Sequence, residues 1–150
     1  MLNTNYSIKV ISFSLLVAVM ALFSPAAAKA QDEVQVLVGK IQKSSGRVKV
    51  DLLNQVSLAY RNTDRFKSLE YARLAYESSS EIKYTAGQAL ALKNQGICWF
   101  FIGNNDSAAF CYKEALAGFT RINDMKGISA CYNNLGLIAQ ETGKYADALK

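Results

Sequence analysis

Residues 87–108 read GQALALKNQGICWFFIGNNDSA, and residues 127–148 read GISACYNNLGLIAQETGKYADA. Laying the first stretch on the second puts Gly87 on Gly127, Asn94 on Asn134, Gly96 on Gly136, Gly103 on Gly143 and Ala108 on Ala148. One unit earlier the same shift puts Ala75 on Ala115 and Ile82 on Ile122, with Ser68 in the place of Ala108. The identities are few, but they fall at punctuating positions. Small residues recur where helices would touch, and glycines recur where helices would stop. A fixed period of this size is the mark of stacked supersecondary units, each burying its apolar face against the next.

Each unit reads as two helices. In the second, Leu92, Gly96 and Trp99 share one helical face before Gly103-Asn104 breaks the pattern, with glycine suited to a left-handed cap. Asn105-Asp106 is expected to cap the next helix, whose Ala108, Tyr112, Ala115, Leu116 and Phe119 stand at three- and four-residue spacing. The third unit repeats this with Tyr132, Leu135, Gly136 and Ala139, then Gly143-Lys144. The first has Leu53, Val56, Ser57 and Tyr60, a turn Asn62-Thr63-Asp64 without glycine that reads one residue shorter than the others, and then Leu69, Ala72, Ala75 and Tyr76. Ahead of it, Val34, Leu37, Val38 and Ile41 form an apolar stripe ended by Ser44-Ser45-Gly46, expected to be a short helix covering the first repeat. The expected organisation is a leader over 1–30, a capping helix and turn over 31–46, and repeats over about 47–84, 85–124 and 125–150, the last incomplete.

Asn134-Leu135-Gly136, Gly143-Lys144-Tyr145 and Ala148-Leu149 resemble the N-x-L-G…G-x-Y…A-L core of the tetratricopeptide repeat, TPR, and Asn94, Gly96, Gly103, Ala108 and Ala115 echo it. The resemblance covers residues 47 to 150. It departs from the family in its period of 40 rather than 34, in Gln95 where leucine is usual, and in Ser57 where the first unit would carry glycine. It implies an all-α fold, a right-handed α-solenoid of antiparallel helix pairs, with Trp99, Gly136, Gly143 and Ala148 among the repeat-forming residues. The long period, the leader and the run NQVSLAYRN at 54–62 look like the exported TPR sensor regions of bacterial signalling proteins. In that subgroup the repeats are often joined to a membrane helix and to a histidine kinase or DNA-binding output. The second helix of the third unit has only begun at Lys150, so the chain is expected to be the N-terminal part of a longer protein.

In such a stack the first helices line the concave side, and ligand-contacting residues are sought there. Phase taken from the glycines puts Asn54, Lys93 and Asn133 on one row and Gln55, Asn94 and Asn134 on the next. Asparagine is a poor helix-interior residue because its side chain competes for backbone groups, so its return at one phase needs a reason. Carboxamides donate and accept, and a ladder of them can grip a peptide backbone; they can equally bond the neighbouring repeat. Lys93 and Arg61 are candidate partners for a carboxylate, or else solvated cations. In Trp99-Phe100-Phe101 the tryptophan is in phase with Gly96 and is expected between helices. Phe100 and Phe101 fall on the concave side or its edge, as anchors for a partner or as packing against the adjacent repeat. Gly87 and Gly127, near helix ends, are expected to relieve the backbone.

Residues 1–30 carry the n-, h- and c-region order of a secretory signal peptide: a polar start ending at Lys9, an apolar run from Val10 to Phe23, then Ser24-Pro25 and an alanine-rich stretch. Cleavage is expected after Ala30 or Ala28, to give an exported, periplasmic or extracytoplasmic protein; the alternative is an uncleaved anchor. Cys98, Cys111 and Cys131 fall on helices as small core residues, or as one bridged pair with a free thiol. The chain has no histidine, which removes His-based triads and ligands. Of its 17 basic residues, Lys9 and Lys29 lie in the leader; the remaining 15 face 12 acidic residues, a weak bias with no basic stripe. No metal site, cofactor or phosphate-binding loop is implied, and no nucleic-acid contact is expected in this segment. Contact with a membrane is expected only through the leader or a downstream helix. The expected function is capture of a protein or peptide ligand without catalysis; the alternatives are the sensing region of a membrane receptor such as a histidine kinase, or of a TPR-containing transcription regulator.

Overall fold

The computed structural model describes residues 25–143. Residues 1–24, most of the expected leader, and residues 144–150, where the third unit's second helix is expected to begin and Ala148 lies, are outside the described residues. The chain divides between Gln35 and Val36 into two units, and the described part of the first is the leading portion of helix α1 (Pro25–Ile41). The second unit continues through α2 (Gly46–Tyr60), α3 (Arg65–Glu81), α4 (Thr85–Ile102), α5 (Asn105–Arg121) and α6 (Met125–Thr142). All regular structure among the described residues is helical.

From α2 onward each helix packs against the next in sequence, and α4 also packs against α2 and α6. The first helices of successive units therefore touch one another directly, while α3 and α5 are joined through α4. Alanine makes this close packing possible: Ala72, Ala75, Ala91, Ala108 and Ala115 are all fully buried. Among the described residues, apolar clusters bind the units: Leu53 with Ala75 and Ala91, Ala89 with Ala115, Phe119 and Cys131, and Ala108 with Tyr112, Leu135 and Ile138. Of the stripe ahead of the first repeat, Ile41 packs on the first of these clusters. Trp99 is half-buried against the third.

The turns repeat with the same period as the helices. Gly103 (φ 88°) and Gly143 (φ 68°) hold the left-handed conformation after α4 and α6, and Lys83 (φ 54°) and Asn123 (φ 59°) hold it between units. Gly103 and Gly143 stand one period apart, and so do Lys83 and Asn123. At Lys83, Gly103 and Asn123 the next residue's amide reaches back to the helix, as Tyr84 N to Ser79 O (2.8 Å), Asn104 N to Trp99 O (2.9 Å) and Asp124 N to Phe119 O (2.9 Å), the hydrogen bond of a Schellman cap. The first turn is built differently. It spans residues 61–64, against 103–104 for its counterpart, so it is longer rather than shorter. Its residues close back on Tyr60 O through Thr63 N and Asp64 N without a left-handed residue, which is why it needs no glycine. The caps are Asp64 and Asn104, again one period apart. Their side chains accept from Lys67 N and Ser107 N, both at 3.0 Å. Asn104 thus does the work expected of Asn105-Asp106, because the helix starts at Asn105 itself.

Gly87 and Gly127 have a different task from the one expected. Both are buried in the first turn of their helices, and neither has a left-handed φ. A Cβ on Gly87 would stand 2.5 Å from Val50 and from the Tyr84 ring, and one on Gly127 would collide with the Phe119 ring. They are close-approach glycines. Gly96 is another, since its Cβ would lie 2.7 Å from the ring of Tyr112, a phenol only 1% exposed. Gly136, its counterpart one period on, is exposed and meets no described side chain.

Candidate functional site

The first helices build one concave feature together. A cleft of about 270 Å³ is lined by Asp51 of α2, by Gly87, Leu90 and Lys93 of α4, and by Lys126 and Gly127 of α6. Tyr84, Phe119 and Asp124 close it from the turns and from the end of α5. The two buried glycines open this space: a side chain at either would fill it and strike its wall.

The lining mixes apolar and charged side chains. Leu90, Phe119 and the Tyr84 ring supply hydrophobic surface, Lys93 and Lys126 supply cations, and Asp51 and Asp124 supply carboxylates. Asp124 is partly committed, accepting from Lys126 N and Gly127 N at 3.1 Å each as the cap of α6. The Arg47 guanidinium lies 5.2 Å from the Tyr84 ring centroid, a cation–π contact that steadies the ring. Burial, and next the neighbouring Asp51 carboxylate, push the Tyr84 phenol up, so it remains a neutral hydrogen-bond donor. Lys93 sits near enough to Cys131 for its charge to oppose the rise that burial imposes on that thiol.

The amides expected along the groove divide. Asn54 is 2% exposed and Asn94 is 5%. Asn54 Nδ2 donates to Gly87 O at 3.1 Å, and Asn94 Nδ2 donates to Asn54 Oδ1 at 3.3 Å and to Asn54 O at 3.4 Å. Their amides run from one unit to the next inside the stack and are not presented to a ligand. They also correct the rows: Asn54 pairs with Asn94, one period on, and not with Lys93. Gln55 and Asn133 are exposed, and Asn134, the third member of the Asn54 register, is half-buried. Lys93 belongs to the cleft. Arg61 does not; it borders a shallow depression with Ser57, Ser68, Asn94 and Ile97.

The aromatic run spreads over three surroundings. Phe100 packs, half-buried, beside Trp99 on the Tyr112 cluster. Phe101 is 50% exposed, meets Phe100 edge-on at 5.7 Å and lies 5.3 Å from the Arg65 guanidinium. The remaining buried polar groups are internal. Ser68 Oγ donates to Ser57 O at 2.7 Å, and Cys98 Sγ contacts Ser68 Oγ at 3.1 Å, tying α2, α3 and α4 together.

Asp51, Tyr84, Leu90, Asp124 and Lys126 are not picked out by the sequence reading. The repeat shift superposes Tyr84 on Asp124 beside the paired glycines, which marks these two turn positions as equivalent; no such match marks Asp51, Leu90 or Lys126. All three thiols are free and buried. Desolvation raises each one, Cys111 and Cys131 to about 11, which leaves them weak nucleophiles at neutral pH. Among the described residues no group of histidine, cysteine, aspartate or glutamate side chains is clustered to hold a metal ion, and no helix is long and apolar enough to cross a membrane. A scan against protein-family models returns no match. A comparison with curated proteins returns none either.

Proposed function

We propose that this chain is an exported TPR-like module, a right-handed stack of antiparallel helix pairs, that captures a protein or peptide segment in the cleft along its first helices. The observation that carries this reading is the cleft itself. Three successive first helices line it, buried glycines line it too, and it offers apolar surface together with both signs of charge. Such a lining suits an extended segment with an apolar side chain beside charged ones, since main-chain and side-chain groups can both be met at the rim. The order of charge, apolar run and alanine-rich stretch in residues 1–30 supports export. The resemblance to exported sensor regions supports a role as the perceiving part of a membrane receptor, such as a histidine kinase, or of a TPR-containing regulator. Catalysis is no part of the proposed role of this segment.

The test is selection of a random-peptide display library on the chain, followed by binding of the enriched peptide to variants. Lys93→Glu and Leu90→Asp should weaken binding at least about tenfold, while Lys113→Glu, on an exposed site of α5, leaves it unchanged. Binding that ignores both cleft substitutions sinks the proposal.

A further inference from the structure

The outer side of α3 carries a pattern that matches itself when reversed. Phe66, Leu69, Glu70, Arg73, Leu74 and Glu77 line a shallow groove of about 290 Å³ drawn from this one helix. Phe66 is 76% exposed and Leu74 41%. Ser68, Ala72, Ala75 and Ser79, on the other side of the helix, are buried. The open side thus holds the most exposed large apolar side chain among the described residues, together with three charges.

The lining positions are 66, 69, 70, 73, 74 and 77, a spacing that reads the same from either end. Lay two copies of α3 antiparallel about a twofold axis passing between Tyr71 and Ala72. Glu70 then faces Arg73 of the second copy, and Arg73 faces its Glu70. Leu69 and Leu74 meet in the same reciprocal way, and each Phe66 lies beside the aliphatic stem of a Glu77. Centring the pair one half-turn further along instead sets Glu70 against Glu77, like against like. Charge therefore selects one register, and that register also brings the leucines together. Within one chain Arg73 reaches its own Glu77 only at 3.9 Å, with both side chains well exposed. Such a contact contributes little, so the guanidinium can turn to a better-placed carboxylate.

We infer that α3 pairs with α3 of a second copy of this chain in an isologous, antiparallel contact, with Glu70–Arg73 pairs at the axis and Leu69–Leu74 contacts beside them. A twofold interface requires a self-complementary surface, and this stripe is one. A single helix face is smaller than the roughly 1,200–2,000 Å² of a stable interface, so the dimer is weak, reversible and loosened by salt. The pairing leaves the first-helix cleft open and does not depend on what that cleft binds.

The experiment is sedimentation velocity of the full chain over a rising concentration series, with circular dichroism confirming that each variant is folded. The wild-type chain should shift from monomer to dimer. Glu70→Arg alone and Arg73→Glu alone each set like charges opposite twice and should weaken the dimer about tenfold or more. The combined E70R/R73E chain restores opposite charges and should regain dimerisation. A wild-type chain that stays monomeric throughout overturns the inference. So does a dimer that the single reversals leave intact, or one that the double reversal fails to restore.

Discussion

Removing the amides of Asn54 and Asn94 should make this protein easier to unfold, and should do so non-additively. Asn94→Ala deletes two donor contacts, at 3.3 and 3.4 Å, and leaves the Asn54 side-chain oxygen in a buried site without that partner. Asn54→Ala deletes the 3.1 Å bond to Gly87 O and strips Asn94 of its side-chain acceptor, leaving it only the main-chain Asn54 O at 3.4 Å. An orphaned buried polar group costs about 1–3 kcal/mol. The long contacts of Asn94 put its loss at about 1 kcal/mol. The shorter bond of Asn54 puts its loss at about 2 kcal/mol. Because each single substitution strands the partner of the other, the double variant should lose less than the sum of the two, by about 1 kcal/mol. The assay is urea denaturation of the four chains, followed by far-UV circular dichroism. Strictly additive losses would show that the two amides do not act through one another. Undiminished stability in both single variants, with ligand capture impaired, would return these residues to the groove and refute the internal network.

Four further outcomes are expected. Gly127→Leu and Gly96→Leu, which drive a side chain into the Phe119 and Tyr112 rings, should each cost about 1–3 kcal/mol in the same denaturation assay, whereas Gly136→Leu, facing no described side chain, should cost far less. Gly103→Ala, at φ 88°, should lower stability by about 1–2 kcal/mol, visible as a fall in the thermal midpoint. Cys111 and Cys131 are pushed up to about 11 by burial, above their unfolded values. Their contribution to stability should thus be whole below the unfolded thiol pKa and decline as pH rises towards 11. Their reaction with a thiol reagent at neutral pH should be slow until denaturant is added, and a rate equal to that of a free thiol would contradict the burial.

The helical repeat is legible in the sequence because its signals are local. Glycine at 103 and 143 marks a left-handed cap, and alanine at 108 and 115 marks a helix contact, each readable from a few residues and a period. What stays hidden is three-dimensional. Gly87 and Gly127 look like any glycine near a helix end, and only the approach of Val50, Tyr84 and Phe119 shows that they are there for space. The first turn reads as short because it has no glycine, yet it is longer and closes on Tyr60 O by another geometry. The row of Asn54 also reads one residue out, and the two uses open to the amides, ligand or neighbouring repeat, are told apart only by the bonds that Asn54 and Asn94 make inside the stack. Lys93 is legible because it stands one residue from Asn94 on a first helix. Asp51 and Lys126 are not, because they join Lys93 only when three units are assembled.

If the first-helix cleft is where a partner binds, the most direct measurement is the amide chemical-shift map of the chain titrated with the library-selected peptide. The largest shifts should fall at Leu90, Lys93, Lys126 and Gly127, on two different first helices at once. Shifts confined to the outer side of α3 or α5, with the cleft unmoved, would contradict binding there.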